Sequence, residues 1–186
     1  MNTFKMKSRA AQTAAFVGLL VCFSAFGTAS AVAATPEENL ERLEIVLPTP
    51  GKSIANYVGA TRVGNMIYLS GHIPREADGT VVVGKLGDDL GVKDGYDAAR
   101  LSAIGLMATL KGEIGDLSKV KQVVKVFGMV NATGDFTDHS KVINGCSDLL
   151  VEVFGDSGRH ARAACGFSSL PLGSAVEIEM IVELKD

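Results

Sequence analysis

The sequence predicts an α+β domain: one mixed β-sheet with two helices packed on one face. Three observations lead there. The last 26 residues, from Ala161 on, read as two short strands joined by a Leu-Pro turn. Two segments with helical apolar spacing, about 95–114 and 137–154, flank a run rich in β-branched residues at 120–130. A strand, a Gly-Asn pair and a second strand open the domain as a hairpin.

Taken in order, Tyr57 to Val63 is the first strand and Met66 to Ser70 the second, with Gly64-Asn65 as a turn that tolerates positive φ. Pro74 and Asp78-Gly79 break the chain into a loop, after which Thr80 to Val83 reads as a third short strand. Asp94 with Asp97 three residues on resembles a capping arrangement that opens the first long helix, Gly95 to about Ile114. On it, Leu101, Ile104, Ala108 and Lys111 fall on one line, and Leu106, Leu110 and Ile114 on its neighbour. Gly115-Asp116 ends the helix, and Val120 to Val130 is a strand. The second helix, Thr137 to Phe154, has Val142, Leu149, Leu150, Val153 and Phe154 as its core stripe. The order is β-β-β-α-β-α-β-β.

In the closing strands, alternation puts Arg162, Ala164, Gly166 and Ser168 on one face and Ala163, Cys165 and Phe167 on the other. Val176, Ile178, Met180, Val182 and Leu184 form an apolar face opposite Glu177, Glu179, Ile181 and Glu183. Arg162 and Glu177 are thereby expected on the face the helices leave uncovered. A cation and a carboxylate among small and polar neighbours could hold a small anion and activate a water. The same pattern also fits an ordinary half-solvated sheet edge. A bare face of this kind is a candidate oligomer surface.

Residues 1–34 read as a secretory signal peptide. Lys5, Lys7 and Arg9 precede an apolar run from Ala14 to Gly27, and Ala29-Ser30-Ala31 and Ala31-Val32-Ala33 offer small-x-small cleavage sites. The run falls short of the ~20 residues that span a bilayer comfortably. A periplasmic or secreted location is expected, with no membrane association after cleavage. Residues 35–52 form a polar, proline-bearing lead-in with a short helix near Glu37 to Arg42, and 53–186 is the domain.

The chain has 18 basic and 21 acidic residues. The leader holds three of the basic ones and no acids, so the remainder carries 15 against 21, a net of −6. With no basic stripe interleaved with aromatics, nucleic acid is not an expected partner. Cys146 and Cys165 lie outside the leader. An exporting pathway would permit a disulfide between them, although their settings, a helix and an apolar strand face, suggest two buried thiols. His72 lies beside a loop and reads as a surface histidine, and His139 and His160 lack metal-ligand spacing.

Three motifs in sequence carry a family resemblance. They are GNMIYLSGHIP at Gly64 to Pro74, VVKVFGMV followed by Gly134-Asp135-Phe136, and R-x7-LP-x5-EIE from Arg162 to Glu179. In this order the chain resembles the Rid family, the reactive-intermediate deaminases (YjgF-type proteins, also labelled endoribonuclease L-PSP), over about Ala55 to Leu184. The resemblance implies a chorismate-mutase-like fold and a homotrimer with ligand clefts between subunits. It implies hydrolysis of an enamine or imine to a 2-oxo acid and ammonia, with no metal or organic cofactor. It implies that Arg162 binds the substrate carboxylate, that Ala164 offers a backbone carbonyl to the water site, that Glu177 positions the water, and that Tyr57 lines the pocket. For the family's pocket asparagine Asn144 is the obvious match, while counting back from Phe154 gives Ser147. Two departures stand out: His72 where glutamine is common, and Ala164 where cysteine is typical. Two further readings are a binding module for small carboxylic acids without turnover, and the ribonuclease of the older label.

Overall fold

A computed structural model of the chain describes residues 34–51 and 55–186. The predicted signal peptide up to residue 33 lies outside the described residues. Helix α1 (Pro36–Arg42) is followed by β1 (Ala60–Val63), β2 (Met66–His72), α2 (Val92–Ile114), β3 (Val120–Asn131), α3 (His139–Phe154), β4 (Ala161–Phe167) and β5 (Val176–Leu184). The five strands form one mixed sheet in the order β1-β2-β5-β3-β4. All neighbours are antiparallel except β3 and β4, which α3 joins as a parallel crossover.

Both long helices cover the same face. The buried residues of the sheet, Ile67 and Leu69 on β2, Val126 and Val130 on β3, and Val176, Ile178, Met180 and Val182 on β5, meet Ala99, Ala103, Leu106 and Leu110 of α2 and Ile143, Leu149 and Leu150 of α3. Small residues let the helices approach closely: a methyl group on Gly145 of α3 would strike the Tyr96 carbonyl of α2.

The segment before residue 53 belongs to this core as well. Thr35 and Glu38 close a reciprocal cap on α1. Leu40 is buried, Asn39 Nδ2 donates to the Val153 carbonyl at 3.0 Å, and Glu37 accepts from the Leu117 N–H at 2.9 Å.

Several boundaries differ from the sequence reading. Thr80–Val83 is no strand: it makes single bridges, Arg75 to Val81 and Val83 to Ser174. β1 starts at Ala60, so Tyr57 lies ahead of it in an exposed irregular segment. Helix α2 starts at Val92, one turn before the predicted start. Asp94 lies inside its first turn, where the carboxylate accepts from the Gly91 N–H at 2.9 Å.

Candidate active site

The sheet register decides which side chains can meet. On β5 the predicted alternation holds: Val176, Ile178, Met180, Val182 and Leu184 are buried under the helices, and Glu177, Glu179, Ile181 and Glu183 face the open side. On β4 the facing is the reverse of the expectation. Arg162 pairs with Val126, and Ala164 with Gly128, both on the helix-covered side of β3. Arg162, Ala164 and Gly166 therefore lie beneath α3, while Cys165 and Phe167 face outward and are exposed. The small residues beside Arg162 leave room for a helix: the His139 ring occupies the space a side chain on Gly166 would need.

Arg162 is held tightly there. Its Nη1 donates to Asn144 Oδ1 at 2.9 Å and to Ser147 Oγ at 3.0 Å, and its Nη2 to the Ser140 carbonyl at 3.3 Å. Both helix residues the sequence left as alternatives are thus bound to the same guanidinium. Asn144, Ser147 and Ser140 lie on one side of α3 because their spacings of three, four and seven residues match the helical repeat. These bonds use three of five N–H donors, which leaves two for a ligand.

Behind this cluster stands His160, which sequence reasoning set aside. Its Nε2 lies 3.0 Å from Ser147 Oγ and its Nδ1 2.6 Å from the Gly158 carbonyl. Burial, and secondarily the Arg162 charge, push its pKa down. Its place two residues before Arg162 was the available signal, since β4 turns both toward α3.

Glu177 occupies the opposite side of the sheet. Burial, with a contribution from the Glu179 charge, raises its carboxyl above the usual range. Its carboxylate lies against Gly71, where β2 carries an extra residue: Leu69 pairs with Met180, yet His72 pairs with Ile178. This bulge turns Gly71 toward Glu177 and His72 toward α2. His72 is therefore no surface histidine. It is half-buried, with Nδ1 at 2.7 Å from the Ser70 carbonyl and Nε2 at 2.7 Å from Thr109 Oγ1. Burial lowers its pKa as well.

Arg162 and Glu177 thus do not meet within one chain. They stand two strands and three residues apart, about 14 Å between Cα atoms, and point to opposite sides. Tyr57 leads into β1 at the far edge of the sheet from β4. Near the middle of the open face lies a shallow depression of about 310 Å³ lined by Tyr68, Ser70, Lys125, Phe127, Glu179 and Ile181. Among the described residues there is no cluster of three or more His, Cys, Asp or Glu that could hold a metal ion, and no helix is long and apolar enough to cross a membrane.

Residues 37–184 match the family model described as "YjgF/chorismate_mutase-like, putative endoribonuclease". The chain belongs to the YjgF (Rid) family. Its match begins within α1, in keeping with the place of Leu40 in the core. Protein TCP17 of Trypanosoma cruzi is 42% identical over 149 residues, covering 80% of this chain and 93% of the relative. The solved structure of Atu1372, a protein of unknown function from Agrobacterium tumefaciens, is 42% identical, covers 81% of this chain and 94% of its own, and superposes with a TM-score of 0.75. The solved structure of a "putative endoribonuclease" from Shewanella oneidensis MR-1 is 35% identical, covers 81% of this chain and all of its own, and gives a TM-score of 0.78. The α+β fold of this YjgF-type chain is that of these neighbours, with a five-stranded mixed sheet and helices on one side.

Proposed function

We propose that the protein hydrolyses small enamines or imines of 2-oxo acids, releasing the 2-oxo acid and ammonia, in clefts between the subunits of a homotrimer. The observation that carries this reading is the guanidinium of Arg162, fixed by Asn144 and Ser147 with donors to spare. A planar fork held in this way suits the bidentate recognition of a carboxylate.

Glu177, half-buried with a raised pKa, suits the orientation and partial deprotonation of a water. Since it points away from Arg162 in its own chain, a cleft that uses both takes Arg162 from one subunit and Glu177 from the next. Tyr57 would line the cleft from the Glu177 side. Ala164, on an edge strand, would lend the water its backbone carbonyl. The open face supports assembly, because the exposed Tyr68 and Phe167 and the partly covered Phe127 and Ile181 would be buried by a second copy. In the reaction, water adds to the imine carbon and gives one proton by way of Glu177 to nitrogen. The resulting hydroxyl then gives up its proton to the departing nitrogen as the C=O bond forms and the C–N bond breaks, releasing ammonia. The substrate is a small carboxylate-bearing metabolite. The leader supports a periplasmic or secreted location.

The ribonuclease reading is the weaker one, since the open face carries Glu177, Glu179 and Glu183, a poor surface for a phosphate backbone. The test is release of ammonia from imines freshly generated by an amino-acid oxidase. Acceleration over the uncatalysed hydrolysis, lost in Glu177→Gln, is the expected result. A protein that binds 2-oxo acids without acceleration would be a carboxylate-binding module instead.

A further inference from the structure

Beside Arg162 stands a polar pair that the proposed reaction does not use. His160 Nδ1 lies 2.6 Å from the Gly158 carbonyl. A carbonyl only accepts, so Nδ1 carries the proton. In the neutral ring Nε2 is then a lone pair, and Ser147 donates its hydroxyl proton to it across 3.0 Å. With that proton committed, Ser147 Oγ offers only lone pairs to Arg162, whose Nη1 donates to it at 3.0 Å. The donors run in one direction, from Arg162 to Ser147 to His160 to Gly158, and each group has a single role.

We propose that His160, acting through Ser147, is a positioning residue of the Arg162 carboxylate site and takes up a proton when an anion occupies that site. The inference rests on the reading of Arg162 as the carboxylate anchor. In the free site a second cation beside the guanidinium is repelled, and the ring stays neutral. An anion seated on Arg162 offsets that repulsion and attracts an imidazolium. Once protonated, Nε2–H donates to Ser147 Oγ, whose two lone pairs then serve His160 and Arg162. The hydroxyl proton is released and can turn toward the ligand.

The surroundings of His160 favour this coupling. α3 contributes the Ser147 hydroxyl, the turn after α3 the Gly158 carbonyl, and β4 the Arg162 charge. From β3, Gln122 donates to the neighbouring Arg159 carbonyl. Among the described residues of the same chain no carboxylate bonds to or pairs with the imidazole, so apart from Glu177 of the neighbouring subunit, which the proposed cleft brings near Arg162, the ligand is the anion it meets. In the free protein burial and Arg162 hold the His160 pKa down, and the bound anion raises it. Binding then takes up protons between the two values, and affinity increases as pH falls through the histidine range.

Calorimetry with 2-oxobutanoate tests this on the wild type and on His160→Gln, His160→Asn, Ser147→Ala and Arg162→Ala, each first checked by thermal melting. The probe's carboxylate stays ionised throughout. Wild-type affinity should rise on the order of five- to tenfold from about pH 8 to about pH 5.5. Net proton uptake should appear on comparing buffers of different ionisation enthalpy. His160→Gln can still accept from Ser147 but cannot titrate, so its affinity near pH 8 should stay within about twofold of wild type and its profile should be shallower than wild type, with only Glu177 left to titrate. His160→Asn should show the same shallower profile, which keeps the test decisive if the glutamine variant misfolds. Ser147→Ala should bind roughly three- to tenfold more weakly. A wild-type pH profile retained in both His160 variants, or no proton uptake by the wild type, would overturn the proposal while leaving the carboxylate anchor standing. Absence of wild-type binding, or undiminished binding in Arg162→Ala, would overturn both.

Discussion

The missing side chain of Gly71 and the carboxylate of Glu177 share one volume. A methyl group on Gly71 would collide with Glu177 Oε1. The β2 bulge turns this glycine toward the carboxylate, so the backbone of one strand fixes the acid of another. Gly71→Ala should push the flexible end of Glu177 aside at a stability cost under about 1 kcal/mol, because a side-chain tip gives way more easily than backbone. Turnover should fall about as far as in Glu177→Gln. Ammonia-release kinetics with a urea melt checks this, and full activity in Gly71→Ala would contradict it.

Glu177 also sets a pH signature on stability. Its carboxyl is harder to ionise in the folded chain. The folded state therefore binds more protons than the unfolded one in a window that opens near pH 4.3, the ordinary value, at about the point where the unfolded glutamate loses its proton. Stability falls as pH rises through that window. Glu177→Gln does not titrate and should gain on the wild type between about pH 4 and about pH 7. Urea midpoints at the two pH values measure the difference, and an equal offset at both would show that the shift is absent.

Arg162 ties β4 to α3 as well as offering donors to a ligand. Arg162→Ala removes three hydrogen bonds and should cost roughly 1–3 kcal/mol in a melt. It should also abolish 2-oxobutanoate binding. Arg162→Lys keeps the charge and loses the fork, so calorimetry should find weakened but measurable affinity.

Cys146 should resist an alkylating reagent in the native protein. Cys146 is buried on α3 and its thiol is pushed up to about 12, whereas Cys165 is exposed on the open face. Mass spectrometry after brief native labelling should find Cys146 unmodified until denaturant is added. Modification of Cys146 at the rate of a free thiol would contradict its burial. Cys165→Ser should retain turnover.

Much of the fold was legible because the strongest signals were periodic. The stripe of α3 and the alternation of β5 depend on local spacing, and both match the structure. Facing on β4 was not legible in this way. Small residues at 164 and 166 fit a ligand cleft and the underside of a helix equally well, and only pairing with Val126 and Gly128 of β3 decides between them. The β2 bulge inverts alternation after Leu69, and Gly71, the residue that could mark an inserted position, reads equally well as the end of the strand. His160 has no partner at metal-ligand spacing in the sequence. Its partner, Ser147, lies one helix away and becomes visible only when β4 is docked.

In the proposed trimer a working site takes Arg162 from one subunit and Glu177 from another. The most direct test mixes two inactive proteins, Arg162→Ala and Glu177→Gln, after unfolding and co-refolding at equal concentrations. In randomly mixed trimers, some interfaces join an intact Arg162 to an intact Glu177. Turnover should return to roughly a quarter of the wild-type level. A mixture as inactive as its parents, although trimers exchange subunits, would contradict the account.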